Sequence, residues 1–244
     1  MDTTIFTPRL KLTLITTADR GSPEFEWIHQ LRSDEKSTWW SISPRSKTPE
    51  DTEKAIKGIL PATFPTVDTP MDGLAEEDGK RKAYRVAYAV HEILQIDPGN
   101  DQGQAPGSPP TTCFIGLITL VHVDAHNLVL PDHLSPSASE TTLIVELAYS
   151  FLPVAWGKGY ATESVNAVFA SCSSSSKSLS FWTPFTKVYV RAIVNGENPA
   201  SLRVMDKTSM VKRGVFELND RPVFLAGKIR EHHVLHIYGM YLVE

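Results

Sequence analysis

The sequence predicts an α/β domain in which helices cover a central sheet of mixed strand direction. Two observations support this fold. Short segments with apolar residues at every second position, or in unbroken apolar runs, are typical of strands, and segments with helical spacing separate them. The segments follow one another in the order β-αα-βββ-α-β-α-ββ, so that directly joined strands alternate with strands joined through helices.

The N-terminal part predicts one strand and two helices. Residues 7–15, TPRLKLTLI, alternate apolar and polar side chains and therefore predict a strand. A helix is expected near residues 24–32. A second helix is expected within residues 46–60, because Thr48-Pro49-Glu50-Asp51 places a proline and two acids where a helix begins.

The middle of the chain predicts two strands that pair as a hairpin. The first lies within residues 83–96 and should direct one set of apolar side chains to one face: Tyr84, Val86, Tyr88 and Val90. The second, residues 113–123, is an apolar run typical of a buried strand. The intervening stretch is rich in Pro and Gly and predicts a long hairpin tip.

The C-terminal half predicts strands and helices in alternation. These are a strand at 142–152, a helix at 159–172, a strand at 187–194, a helix at 199–207, and strands at 211–216 and 232–243. Polar or Pro/Gly-rich stretches near 61–82, 97–112 and 126–139 are expected to be flexible insertions. Because these insertions account for the length, residues 1–244 are predicted to form a single domain.

Composition narrows the classes of function. The formal net charge is -4 and the pI is about 6.1, so no basic surplus favours nucleic acid as a partner. The two cysteines, Cys113 and Cys172, form no disulfide framework or zinc-ligand spacing and fit a reducing compartment. No secretory leader is evident, and no stretch approaches the roughly 20 apolar residues of a membrane helix. We expect a soluble protein of the cytoplasm, with the nucleus as a second location.

The most informative segment is the strand-turn-helix that runs from Val145 to Ala170. Gly157 and Gly159 have no Cβ, so a ligand can approach the backbone closely there. The following helix offers unpaired N–H groups and the positive end of its dipole, which suit an anion such as a pyrophosphate. Lys158 adds a positive charge beside them.

Other glycine-rich loops do not match this segment. A P-loop requires a Lys after its last glycine, whereas Lys158 lies between Gly157 and Gly159. The dinucleotide fingerprint fails because Thr162 stands at its last glycine position, and the nucleophile-elbow pattern is absent. A glycine turn with a structural role alone remains the alternative.

Residues 153–163, PVAWGKGYATE, resemble the coenzyme A pyrophosphate loop of the GCN5-related N-acetyltransferase (GNAT) superfamily, usually written Q/R-x-x-G-x-G/A. Trp156 stands at the Q/R position, Gly159 at the glycine and Ala161 at the last position. The tryptophan and the run WGKGYATE resemble the RimJ/RimL-like branch, which acetylates the N-termini of ribosomal proteins and includes enzymes with other substrates.

Two further segments carry the same resemblance. Pro8-Arg9-Leu10-Lys11-Leu12 resembles the opening strand of the branch, and Asn198-Pro199-Ala200-Ser201 followed by Arg203-Val204 resembles its later N-x-x-S-x-R-V/L segment. The chain departs from the family where Ser209 and Met210 replace a usual Gly-Phe pair. The resemblance runs from about Thr7 to the C-terminus, interrupted by the insertions.

The resemblance implies a splayed mixed sheet flanked by helices, with acetyl-CoA as cosubstrate. The pantetheine arm would lie between the strand that precedes the loop and its parallel neighbour. The implied cofactor-binding residues are Ala148, Ser150, Phe151, Leu152, Trp156, Gly157, Lys158, Gly159, Tyr160, Ala161, Thr162, Asn198 and Ser201. A simpler alternative, compatible with that role, makes Asn198 a helix N-cap followed by Pro199.

The implied reaction is direct attack of an amine on the acetyl thioester. The amine must first lose a proton, and Glu146 is the candidate base because burial among apolar neighbours would raise its pKa. A core ion pair or hydrogen bond is the alternative for Glu146. A backbone N–H near Phe151 could meet the charge of the tetrahedral intermediate. No general acid for the coenzyme A thiolate is evident. Residues 199–207 contain no Tyr, and the closing-strand residues Tyr238 and Tyr241 are more simply explained as core residues.

The acceptor is expected to be an amine, either a protein N-terminus or a small molecule. The resemblance places Trp39 and Trp40 at the acceptor site, and core or surface packing is the alternative. No metal is expected, because His232 and His236 would lie about 13 Å apart on a strand. A coenzyme A-binding module that has lost its chemistry, with a regulatory or interaction role, is the second functional hypothesis. A partner-binding domain with an unused loop is the third.

Overall fold

The computed structural model of the chain describes residues 1–65, 76–77, 80–94, 110–124, 127–174, 176–219 and 221–244. The strands are β1 (Thr4–Phe6), β2 (Leu10–Leu14), β3 (Ala62–Pro65), β4 (Glu76–Glu77), β5 (Lys80–Ala83), β6 (Arg85–Ile93), β7 (Thr112–His122), β8 (Thr142–Phe151), β9 (Lys187–Asn195), β10 (Val211–Leu218), β11 (Val223–Leu225), β12 (Lys228–Arg230) and β13 (His233–Val243). The helices are α1 (Pro23–Ser33), α2 (Pro49–Ile59), α3 (Tyr160–Ser174), α4 (Ser176–Phe181) and α5 (Pro199–Met205), with a short 3-10 helix at Pro153–Ala155.

One central sheet has the strand order β1-β2-β6-β7-β8-β9-β13-β10. Its neighbours pair antiparallel except β8 and β9, which are parallel because α3 and α4 carry the chain back between them. The mixed α/β architecture predicted from the sequence is therefore confirmed. The predicted hairpin is β6–β7.

The two faces of the sheet have separate hydrophobic cores. On one face α3 buries Val165, Val168 and Phe169 against β8 and β9. On the other face α1 buries Ile28 and Leu31 over β6 and β7. β6 serves both cores, because alternate residues face opposite sides of the sheet. The residues predicted to share one face all lie in the α3-side core, Tyr84 just before β6 and the others within it: Val86, Tyr88 and Val90.

Helix starts follow the capping signals in the sequence. The side chains of Ser22 and Thr48 accept hydrogen bonds from N–H groups three residues later, and a proline follows each of them. The Asp51 carboxylate in turn accepts a hydrogen bond from the backbone N–H of Thr48, which completes a capping box. Within the described residues, no helix has both the length and the apolar character needed to span a membrane.

The predicted loops contain more structure than their sequence indicated. The stretch predicted as a loop at 61–82 contains β3, β4 and β5, which form a three-stranded sheet, and this corrects the prediction. Strands of two to four residues are too short to show a period of two. Likewise α4 lies between the predicted helix at 159–172 and the predicted strand at 187–194, where no helix was predicted, and the β11–β12 hairpin was not predicted.

The other two expected insertions differ in what the structure describes of them. The insertion at 97–112 lies outside the described residues except for its last three. Most of the insertion near 126–139 is described. It buries Leu130 and Leu134 against Ile237 of β13, on the face of the sheet opposite α3.

Candidate functional site

The sheet opens along its parallel strand pair. β8 and β9 pair from Thr142 and Lys187 as far as Glu146 and Arg191. Beyond this point β8 continues to pair with β7 up to Phe151, while β9 continues to pair with β13. The two strands therefore diverge, and residues 147–151 and 192–195 border a space that we call the β8–β9 gap.

The gap is lined by backbone groups of alternate β8 residues. The N–H of Leu152 donates to the Ile115 carbonyl of β7 at 2.8 Å. Because successive residues of a strand direct their backbone groups to opposite edges, Tyr149 and Phe151 present theirs to the gap. The cofactor residues named from the sequence include Phe151 but not Tyr149.

Ala148 and Ser150 present side chains to the face opposite α3. Ala148 is exposed at the surface, whereas the half-buried Ser150 hydroxyl donates to the Ser37 carbonyl at 2.7 Å. That bond fastens the loop between α1 and α2 across the C-terminal end of β8. Leu152 is buried in the α1-side core.

The glycine turn lies at the mouth of the gap. Gly157 and Gly159 have φ angles of 73° and 81°, in the left-handed region that side chains with a Cβ rarely adopt. The turn is exposed from Trp156 to Gly159 and enters α3 at Tyr160. The first N–H groups of α3, those of Tyr160, Ala161 and Thr162, have no intrahelical acceptor, and groups of this kind next to a glycine turn are suited to bind an anion.

Trp156 closes the end of the gap next to this turn. Its indole N–H donates to the Phe151 carbonyl at 2.8 Å, while half of the side chain remains exposed. The indole therefore satisfies a backbone acceptor that β9 would satisfy in a continuous sheet.

Lys158 extends from the turn toward the acidic residue Glu92 of β6. Their charged atoms lie 3.7 Å apart, and the Tyr160 hydroxyl donates to the same carboxylate oxygen at 2.5 Å. That hydrogen bond and burial raise the pKa of Tyr160. Sequence reasoning missed Glu92, because nothing in its local sequence marks it as a neighbour of the turn.

The start of α5 lies beside the gap on the α3 face. The Asn198 side chain accepts from the Ser201 N–H and donates to the Ser201 hydroxyl, both at 3.1 Å, which confirms the predicted N-cap. The Tyr149 hydroxyl reaches across from β8 and donates to the Ser201 carbonyl at 3.4 Å. Burial raises the pKa of Tyr149 to about 12.

Glu146 stands where the two strands part. The Arg191 side chain is 4% exposed, and its guanidinium lies against the Glu146 carboxylate. Two of its nitrogens lie close to the same oxygen, Oε2: Nε at 2.9 Å and Nη2 at 2.8 Å. Within the described part of the chain, no hydrogen bond or ion pair reaches Oε1. The ion pair considered as the alternative is therefore present, and it leaves one carboxylate oxygen available.

The two predicted acceptor residues lie in different surroundings. Trp39 and Trp156 both line a cavity of about 670 Å³ between the end of α1 and the glycine turn, together with Asp34, Glu35, Lys36 and Pro153. Trp39 also packs on Gly227 in the β11–β12 hairpin. The Arg230 guanidinium lies over the Trp40 ring, with its central carbon 5.2 Å from the centre of that ring.

The two closing-strand tyrosines contact residues other than those of the glycine turn. The Tyr238 hydroxyl donates to Asp206 at 3.0 Å, and Tyr241 packs against Tyr189. Among the described residues, no three His, Cys, Asp or Glu side chains come together as a metal site.

A family comparison identifies this arrangement. The family described as acetyltransferase (GNAT) domain matches residues 9–211, which include the gap, the glycine turn and α5. The chain belongs to the GNAT family. This GNAT protein is accordingly an acyltransferase, and its splayed sheet is the one that the resemblance implied.

The fold is also similar to solved structures. An acetyltransferase (GNAT family) from Bacillus anthracis shares 18% identity over 98% of each chain, with a TM-score of 0.53. A spermidine N-acetyltransferase from Vibrio cholerae, in complex with CoA and spermine, shares 15% identity over 95% of each chain, with a TM-score of 0.52. These likenesses establish the fold alone. No curated protein sequence matches the chain.

Proposed function

We propose that this GNAT protein transfers the acetyl group of acetyl-CoA to an amine acceptor by direct attack in a ternary complex. One observation carries the proposal: a gap in which backbone groups of β8 no longer pair with β9 leads to a left-handed glycine turn at a helix N-terminus. A slot of this kind suits an extended amide-containing arm that ends in a diphosphate, which describes coenzyme A.

The cofactor residues divide by the part of coenzyme A that they would contact. The backbone of Tyr149 and Phe151 would pair with the pantetheine amides as an added strand. The N–H groups of Gly157 to Thr162 would bind the diphosphate, with Lys158 contributing charge. Asn198 and Ser201 would contact the pantetheine or the nucleotide part from the start of α5, a role compatible with Asn198 as the N-cap of that helix.

Glu146 is the proposed proton acceptor for the attacking amine. Its unengaged Oε1 lies at the start of the gap, and Arg191 fixes the carboxylate through Oε2. The amine nitrogen forms a bond to the acetyl carbon, the carbon–sulfur bond breaks, and its electron pair remains on the sulfur. The backbone N–H of Phe151, directed into the gap, would stabilise the oxyanion of the tetrahedral intermediate. The reaction needs no metal.

Tyr149 is a candidate donor to the departing sulfur. Among the described residues of α5 there is no Tyr, whereas the Tyr149 hydroxyl spans the gap to the Ser201 carbonyl. With a pKa raised to about 12, this hydroxyl remains protonated at neutral pH, and when its single O–H turns from the Ser201 carbonyl it can donate a hydrogen bond to a thiolate.

The acceptor is proposed only as a class, an amine of a protein N-terminus or of a small molecule. The WGKGYATE run favours the RimJ/RimL-like branch. The similar Vibrio cholerae protein is a spermidine N-acetyltransferase, which keeps small polyamines among the candidates. The free thiols Cys113 and Cys172 support the cytoplasm or nucleus as the location.

A coenzyme A-binding module without turnover is the second candidate. The observation that favours it is the loss of the usual glycine after α5, where Ser209 and Met210 stand. Coenzyme A binding is common to both candidates, and release of free thiol from acetyl-CoA in the presence of amines separates them.

The test is calorimetric titration of acetyl-CoA into the wild type, Gly159→Trp and Gly21→Trp. Gly21 also has a left-handed φ, 89°, with open space at its Cβ position, so it matches Gly159 in backbone strain but lies outside the turn. We expect micromolar binding to the wild type and Gly21→Trp and none to Gly159→Trp. A folded wild type that binds no acetyl-CoA would refute the proposal.

A further inference from the structure

The glycine turn is held from outside by Arg9, which precedes β2. The Arg9 Nη1 donates to the Lys158 carbonyl at 3.0 Å, and Nε and Nη2 contact Glu163 Oε2 at 2.9 and 2.5 Å. The guanidinium also lies 4.6 Å from the ring centre of Tyr160. We call this set of contacts the Arg9 brace.

The contact with Lys158 constrains the peptide that the anion site depends on. The Lys158 carbonyl and the Gly159 N–H belong to one planar trans peptide, so they point in opposite directions. The hydrogen bond from Arg9 fixes the direction of the carbonyl, and the Gly159 N–H is thereby held in the opposite direction, away from Arg9. Glycines on both sides of Lys158 make rotation of this peptide easy, so an external hold is needed to fix it.

The contact with Glu163 controls a charge that opposes the ligand. Glu163 lies in the first turn of α3, where its carboxylate would repel a diphosphate bound at the same helix end. Arg9 binds Oε2, and the Thr7 hydroxyl donates to Oε1 at 2.5 Å, so both oxygens are held by residues outside the turn. The brace therefore neutralises this carboxylate and keeps it in place.

An isolated surface ion pair would not accomplish this. The Arg9 side chain is 47% exposed, and exposed pairs contribute little to stability. Arg9 differs because the carboxylate, the carbonyl and the Tyr160 ring fix its planar fork in one orientation. A lysine in its place could supply the charge but could not satisfy those partners together.

We infer that Arg9 is a positioning residue for the diphosphate of coenzyme A, acting through the orientation of the Gly159 N–H and the restraint of Glu163. This inference rests on the proposed function, because it assigns Arg9 to the same anion site. Its consequence is that Arg9 affects ligands that carry a diphosphate and leaves those without one unchanged.

The experiment measures dissociation constants of coenzyme A and of pantetheine, which lacks the diphosphate, for wild type, Arg9→Gln and Arg9→Lys. Arg20→Gln is the matched control, since Arg20 is 50% exposed and pairs with Glu50 and Glu53. Thermal midpoints of all variants monitor folding. We expect Arg9→Gln to weaken coenzyme A binding about tenfold and Arg9→Lys several-fold, with pantetheine and the control unchanged.

Three outcomes would overturn the inference. Equal coenzyme A affinity of wild type and Arg9→Gln would show that the brace is irrelevant to binding. If Arg9→Lys binds coenzyme A with wild-type affinity, a positive charge at this position is sufficient and the planar guanidinium is not required. Equal weakening of coenzyme A and pantetheine would indicate a general structural role. Failure of the wild type itself to bind coenzyme A is a different result, because it refutes the proposed function.

Discussion

Replacement of Glu146 by Gln separates its proposed catalytic role from its structural one. Glutamine keeps the size of the side chain and an oxygen that can accept from Arg191, but it removes the charge and most of the basicity. The catalytic role predicts a large loss of turnover with a small loss of stability. A purely structural role predicts that any loss of activity follows the loss of stability.

The expected stability change is set by the exposure of the two partners. Removing one partner of a fully buried ion pair costs roughly 3–5 kcal/mol, because a charge is left buried without compensation. Glu146 is 32% exposed, whereas Arg191 is 4% exposed, so water can replace only part of the lost contact. We expect Glu146→Ala to cost about 2 kcal/mol and Glu146→Gln about 1 kcal/mol. In a chain of this size, 2 kcal/mol corresponds to about 4–8 °C in thermal midpoint.

Thermal denaturation and the rate of thiol release are measured for Glu146→Gln, for Arg191→Met and for the double variant, which together with the wild type form a double-mutant cycle. The double variant Glu146→Gln/Arg191→Met removes both charges and should recover part of the stability. If Glu146 takes the proton, kcat should fall about a hundredfold or more in Glu146→Gln and remain low in the double variant. A kcat that recovers together with stability would refute the catalytic role and leave Glu146 as an anchor of the last strand pair.

Three further predictions concern the gap and the packing of the sheet. Gly116→Ala should destabilise the fold by about 1–3 kcal/mol, because the new Cβ would lie 2.5 Å from a Phe151 ring carbon; urea midpoints check this. Tyr149→Phe should lower kcat about tenfold without raising the KM for acetyl-CoA, whereas Tyr238→Phe should not; steady-state kinetics that show equal kcat for both variants would contradict the assignment. Burial lowers the pKa of His91 in the folded state. As the pH falls below about 6.5, the unfolded chain therefore takes up a proton at His91 more readily than the folded protein does, and stability falls. His91→Phe should flatten that dependence in urea titrations at pH 7.5 and 5.5.

The sheet could be predicted because its strands carry their signal locally. The alternation in β6, with Tyr88 and Val90 on one face and Ala87 and Ala89 on the other, follows from the period of two and matches the two cores. The glycine turn could also be predicted, because its chemistry depends on adjacent residues.

The supports of the site could not be predicted because they join distant parts of the chain. Arg9 and Glu163 are 154 positions apart, and no spacing rule connects an opening strand to a later helix. The β11–β12 hairpin turns at Ala226 and Gly227, which both have positive φ. Alanine rarely adopts positive φ, and the pair lacks the Asn, Asp or Gly that usually marks the first position of such a turn, so the sequence carried only a weak signal for it.

The β8–β9 gap is built into the fold, and this bears on how coenzyme A would bind. Strand pairing already ends at Glu146 and Arg191 without a ligand, so binding would break no ladder of hydrogen bonds. The Tyr149 side chain spans from β8 to the start of α5 and keeps β8 and α5 at a fixed separation. The Phe151 carbonyl, however, already accepts from the Trp156 indole, so a pantetheine amide that needs this acceptor must share it or displace the indole. If displacement occurs, the fluorescence of Trp156 should change on coenzyme A binding and that change should be absent in Trp156→Phe. An unchanged signal would mean that the indole stays in place, so that the pantetheine either shares the Phe151 carbonyl with it or pairs with β8 through Tyr149 alone.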